Sequence, residues 1–106
     1  MTGRKKQMVI YTDKASKSVI AIAIFIAENG YPENAQKFKE KLLSFGDSLT
    51  IFPDKYPICK QPQLAKRDMH CAVFQKHYMF VYKMKKNRLV VYNVLHSKTN
   101  PLFHSI

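Results

Sequence analysis

Residues Met69–Pro101 read MHCAVFQKHYMFVYKMKKNRLVVYNVLHSKTNP, and this stretch decides the fold. Three runs rich in β-branched and aromatic residues, Met69–Phe74, Tyr78–Met84 and Leu89–Leu95, alternate with short polar connections. That is the pattern of strands joined by turns. In the second run Tyr78, Phe80, Tyr82 and Met84 share one face and Met79, Val81 and Lys83 the other, since strand side chains alternate. Lys85-Lys86-Asn87-Arg88 reads as a hairpin turn, with Asn87 tolerating positive φ. Leu89–Leu95 is apolar on both faces, as a covered central strand requires. The polar segment His96–Pro101 follows directly, and a strand exit of this kind is a natural place for a site.

Upstream of the strands, Phe52–Arg67 is punctuated by Pro53, Pro57 and Pro62, which forbid regular helix or central strand. This long loop carries Lys55, Lys60, Lys66 and Arg67. Before it lies one clean helical stripe, Ala35, Phe38, Leu42, Phe45 and Leu49, started by Pro32. An earlier helix is expected over residues 14–29, capped by Asp13 and stopped by Gly30 at positive φ. Val19, Ile20, Ile22, Ile24, Phe25 and Ile26 make most of its circumference apolar, which suits a buried core helix. A short β-type run, Met8–Thr12, opens the ordered chain after a polar, basic arm, Met1–Gln7. The order is β-α-α-β-β-β: an α+β domain with an antiparallel two-helix hairpin packed on an antiparallel sheet. The whole chain, 1–106, is expected to be one domain, with residues 102–106 as a tail.

Eighteen Lys plus Arg against seven Asp plus Glu leave a net charge of +11. A small domain this basic repels itself and calls for an acidic partner. With 46% hydrophobic residues the chain is not globally disordered. The run Val19–Ile26 is too short to cross a membrane. Cys59 and Cys71 are too few for a disulfide scaffold and are expected as reduced thiols in a cytoplasmic protein. A zinc set of Cys59, Cys71, His70 and His96 contains no compact ligand pair, so no metal site is expected.

Taken together, the chain resembles the RelE/ParE family of bacterial type II toxins, of which the plasmid stabilisation proteins are examples. The resemblance runs from Val9 to Pro101. It is carried by Val9-Ile10-Tyr11-Thr12, the Ile-rich helix ending Asn29-Gly30, Ala35-x-x-Phe38-x-x-x-Leu42, and Leu49…Pro53…Tyr56-Pro57. It continues through Tyr78-x-x-x-Tyr82-Lys83 and Leu89–His96 followed by Ser97–Pro101. The resemblance implies a cytoplasmic toxin without cofactor or membrane contact, silenced by an antitoxin with an acidic or amphipathic segment. One branch of the family cleaves mRNA on the ribosome as an mRNA interferase. The other inhibits DNA gyrase. A non-toxic basic RNA-binding or protein-interaction domain on the same fold is the alternative.

Metal-independent RNA cleavage needs an activated 2′-OH, a stabilised phosphorane-like charge and a protonated leaving oxygen. The candidates for these roles are His96, Arg67, His70 and Lys66. Lys60, Lys66, Arg67, Tyr82 and Lys98 are candidates for contact with nucleic acid or another target. Each has a structural alternative: His96 as a strand end bonded to the tail, Tyr82 as sheet packing. No arginine follows Arg88, which departs from the RNA-cleaving pattern, and Leu95-His96-Ser97-Lys98 reads closer to the ParE-like ending.

Overall fold

The computed structural model describes residues 9–30 and 32–104, so the basic arm before Val9 lies outside the described residues. Elements in chain order are β1 (Val9–Tyr11), α1 (Asp13–Asn29), α2 (Pro32–Ser48), α3 (Pro62–Ala65), β2 (His70–Phe74), β3 (Tyr78–Lys85) and β4 (Arg88–His96), with a final 3-10 turn, Pro101–His104. The described strands form one sheet in the order β1-β4-β3-β2. β2, β3 and β4 are antiparallel neighbours, as expected, while β1 joins β4 in parallel and makes the sheet mixed. The reason is the helical hairpin. It carries the chain away from β1 and back across the sheet, so the later central strand returns alongside it in the same direction.

Thr12, not Asp13, caps α1. Its Oγ1 accepts from the Ala15 N–H at 3.1 Å and donates to the Tyr92 carbonyl at 3.0 Å. One hydroxyl thus starts the helix and ties that start to β4. Gly30 ends α1 at φ −157°, so the positive φ expected there is not used. At the β3–β4 hairpin Lys86 and Asn87 have φ of 52° and 65°, the two positive values a tight two-residue turn needs.

The main core lies between the helices and the sheet. Ala15, Val19 and Ile22 of α1 and Leu42 of α2 meet Ala72, Phe80, Tyr82, Leu89, Val91 and Val94. Phe45 holds ring contacts with Phe74 at 4.8 Å and Phe80 at 5.1 Å, and Phe38 with Tyr78 at 4.9 Å. Such pairs add ~0.5–1.5 kcal/mol each beyond the apolar area they bury. α1 is not the buried helix its composition suggests, because Ile20 and Ile24 remain half exposed.

A register shift at Val81/Tyr82 pairs Val81 with Asn93 and Tyr82 with Val91, so Tyr92 is the extra residue in β4. The bulge changes the phase of alternation along the strand. Leu89, Val91 and Val94 therefore all reach the helix side, while Tyr92 and Leu95 pack on the other. This explains why Leu89–Leu95 looks apolar on both faces.

A second, smaller core covers part of that other face. Cys59, Met69, Val81 and Leu95 are buried there, with Leu64, Met79, Tyr92, Leu102 and Phe103 against them. The proline-rich loop thus contains a short helix, and residues 102–104 of the expected tail fold onto the sheet. Buried Gln61 donates to the Leu102 carbonyl at 3.0 Å and joins loop to tail. The thiols expected to be reduced are instead bonded: Cys59 and Cys71 form a disulfide across 12 residues. The bond flanks the Ile58–His70 bridge, where pairing of the loop with β2 brings the two residues together. Tertiary proximity of this kind has no signature in cysteine spacing.

Candidate functional site

The two helix-side histidines sit beside different points of β3, one at its start and one at its middle. His96 pairs across the sheet with Tyr78, and His70 with Tyr82. The four-residue offset along β3 is about 14 Å at ~3.4 Å per residue. Two strand spacings of ~4.8 Å separate them further.

His70 is committed to structure. Its Nδ1 donates to the Tyr56 carbonyl at 2.6 Å, its ring stacks on Tyr82 at 5.3 Å, and its Nε2 lies 4.0 Å from Asp54. Tyr82 is fully buried and donates to the Pro53 carbonyl at 2.6 Å. Burial pushes its phenol up to about 12, with Tyr56 and Asp54 adding to the shift. It can neither stack on a base nor release a proton near neutral pH. His96 is 4% exposed and lies between the Tyr78 ring, stacked at 4.9 Å, and the edge of Phe25 at 5.0 Å. Burial lowers its pKa, and Lys98 and His77 lower it further, so the ring is neutral at pH 7.

Lys66 and Arg67 belong to the opposite side of the sheet. Lys66 ends α3 and is exposed. Asp68 at φ 59° turns the chain from α3 into Met69, whose N–H donates to the Leu64 carbonyl at 3.1 Å. That turn sets the Arg67 guanidinium over the Tyr92 ring at 5.6 Å. The Arg67 carbonyl also accepts from Lys83 Nζ at 3.0 Å. Lys60 is exposed beside the disulfide, and Lys98 in the turn after β4. The four candidate catalytic residues are therefore divided between two faces of the sheet, with no shared reaction centre. The zinc set is divided in the same way: its cysteines are joined to each other and its histidines stand apart.

What the fold does gather is charge. The second core covers only part of the face away from the helices. At its edge, a cleft of about 260 Å³ is walled by the core residues Met69, Val81, Leu95 and Tyr92 and rimmed by Lys14 and Arg67. Toward the β3–β4 hairpin a further depression of about 380 Å³ is lined by Ile10, Lys85, Lys86, Arg88 and Val90. Arg67, over the Tyr92 ring, and Lys83, Lys85, Lys86 and Arg88, toward the hairpin, thus give this side of the sheet a basic surface. Reading the turn lysines and Arg88 only as turn residues hides it. The signal was present in the strand alternation, which puts Lys83 opposite the core residues Phe80 and Tyr82.

No curated sequence matches the chain. In structure it is similar to a chain of the chromosomal ParDE TA system from P. aeruginosa, with a TM-score of 0.72 at 13% identity, covering 86% of this chain and 96% of that one. At that identity the likeness is one of fold. The sequence pattern of the ParE toxin of type II toxin-antitoxin system, parDE, matches residues 9–101, which span β1 to the start of the final turn. The chain therefore belongs to the ParE toxin family of type II toxin–antitoxin systems.

Proposed function

We propose that this toxin arrests growth by binding DNA gyrase through the basic sheet surface, and that it is not an RNA-cleaving enzyme. The observation that carries the reading is the dispersal of the candidate catalytic set. A general base and a phosphate-stabilising cation must reach one scissile phosphate together. Here His70 and His96 are held on the helix side while Arg67 and Lys66 stand across the sheet. Binding inhibition needs only a rigid, charged surface, and the Arg67–Arg88 region supplies one.

The reading includes a cognate antitoxin, which supplies the acidic segment that a +11 toxin calls for. It also includes a cytoplasmic site of action, where the target is found. The test is a supercoiling assay with purified gyrase and excess protein, run beside primer extension on transcripts from arrested cells. Inhibited supercoiling with intact transcripts is expected. Cut transcripts with unimpaired supercoiling would overturn the proposal in favour of ribosome-dependent mRNA cleavage.

A further inference from the structure

A cleft of about 380 Å³ runs between α1 and the end of β4, away from the basic surface. Ser18, Ala21, Ile24, Phe25 and Glu28 line its α1 side, and His96 lines the strand side. Its volume falls within the ~300–1,000 Å³ of ordinary binding pockets. Two independent features mark it as built for an occupant.

The first is His96. Its Nδ1 is enclosed and has no hydrogen-bond partner among the described residues, although a buried polar atom is normally paired. A neutral imidazole carries one proton. With no acceptor beside Nδ1, that proton belongs on Nε2, the nitrogen left to meet an incoming group. Tyr78 and Phe25 hold the ring in place, so the donor is fixed in advance.

The second is the surface that leads into the cleft. A solvated helix face carries polar residues. On α1 the exposed residues between Lys17 and Glu28 include Ile20 at 50% and Ile24 at 52%, with Ala21 beside them. Ile20 and Ile24 are one helical turn apart and share a face. This apolar stripe is continuous with the cleft through Ile24.

We propose that the α1–β4 cleft anchors the antitoxin: a branched or aromatic side chain of an acidic, amphipathic segment fills it, and an oxygen acceptor of that segment takes a hydrogen bond from His96 Nε2–H. The inference rests on the toxin–antitoxin reading above. The stripe gives the segment apolar contact, and exposed Lys98, close enough to His96 to lower its pKa, offers positive charge to an acidic flank at the strand end of the cleft.

The test measures affinity between the full chain and the purified product of the reading frame adjacent to its gene. Ile24→Glu and Ile20→Glu place a charge on half-exposed positions and leave the core intact. Each is expected to weaken binding by at least about 30-fold, the scale of an interface hot spot. His96→Phe keeps the ring between Tyr78 and Phe25 and removes the donor. It is expected to weaken binding about threefold to tenfold, the scale of one neutral hydrogen bond. Ile51→Glu, at an exposed position outside the cleft, should stay within twofold of wild type. Long-range ¹H–¹⁵N spectra of the free protein at pH 7 should show the neutral Nε2–H form of His96. Tight wild-type binding with Ile20→Glu and Ile24→Glu unaffected would overturn the anchor, as would an equal loss at Ile51→Glu. An Nδ1–H or doubly protonated His96 would overturn the donor. Failure of the wild-type pair to bind at all would instead retire the toxin–antitoxin reading.

Discussion

Gly46→Ala tests the contact that seats α2 against β1. Gly46 is buried in α2, and a Cβ built there overlaps the Tyr11 hydroxyl and lies 3.3 Å from Phe80 Cε2. Replacing a mid-helix glycine by alanine normally stabilises by ~0.5–1 kcal/mol. Overpacking a tight core costs ~1–3 kcal/mol. The second effect is larger here because both neighbours are held by the sheet. The expected net loss is about 1 kcal/mol, or ~4–8 °C in melting temperature for a domain near 100 residues. The Tyr11 hydroxyl is itself enclosed without a partner among the described residues. Tyr11→Phe removes both an unpaired polar group and the overlapping atom, so the single variant is expected to be at least as stable as wild type. In the double variant the two changes should not add. Urea unfolding of the four proteins at constant m-value gives the cycle directly. A coupling energy of ~1 kcal/mol in favour of the double variant is expected. Additivity within ~0.5 kcal/mol would refute the steric argument.

Opening the Cys59–Cys71 bond frees a 12-residue separation and should lower stability by about 3 kcal/mol through loop-closure entropy. Urea midpoints with and without a dithiol reductant check this, and a Cys71→Ser variant should be insensitive to the reductant. Tyr11 and Tyr82 are both pushed up to about 12 by burial. Their folded pKa values lie above the unfolded ~10, so their contribution is complete below pH ~10 and is lost as pH rises toward 12. Absorbance titration at 295 nm should show these two tyrosines ionising late, together with alkaline unfolding, and Tyr82→Phe should flatten part of that decline. His96 has a lowered pKa, so its contribution is present above pH ~6.5 and falls as acid protonates it; His96→Phe should reduce the acid sensitivity seen in thermal melts. Arg67→Ala should weaken gyrase inhibition several-fold with little change in melting temperature, since the side chain is exposed and its cation–π contact is worth ~0.5–1 kcal/mol. Loss of folding on Arg67→Ala would show that the residue is structural.

Elements with their own periodicity were legible. The 3.6-residue stripe of α2 and the alternation of β3 put Phe38, Leu42, Phe45 and Phe80 in the core where the pattern required. Helix termini were less secure because neighbouring residues compete for one role: Thr12 took the cap that Asp13 could also fill. The site was legible in composition only. Arg67 shares its side of the sheet with Lys83 and the hairpin cations, 16 or more residues away, rather than with its loop neighbours alone. Tyr82 is withdrawn into the core by its bond to Pro53, a partner 29 residues away.

By itself the sequence determined the β-α-α-β-β-β order, the turn at Asn87 and the uncompensated positive charge. Each is a local or additive property, fixed by neighbours within a few residues or by counting. Only the tertiary structure decided that β1 runs parallel to β4, that a bulge at Tyr92 turns β4 to both faces, and that Cys59 meets Cys71. It also decided that His70 and His96 stand apart from Arg67. These outcomes depend on which distant strands pair and in what register, and a one-residue shift in register sends every side chain to the opposite face.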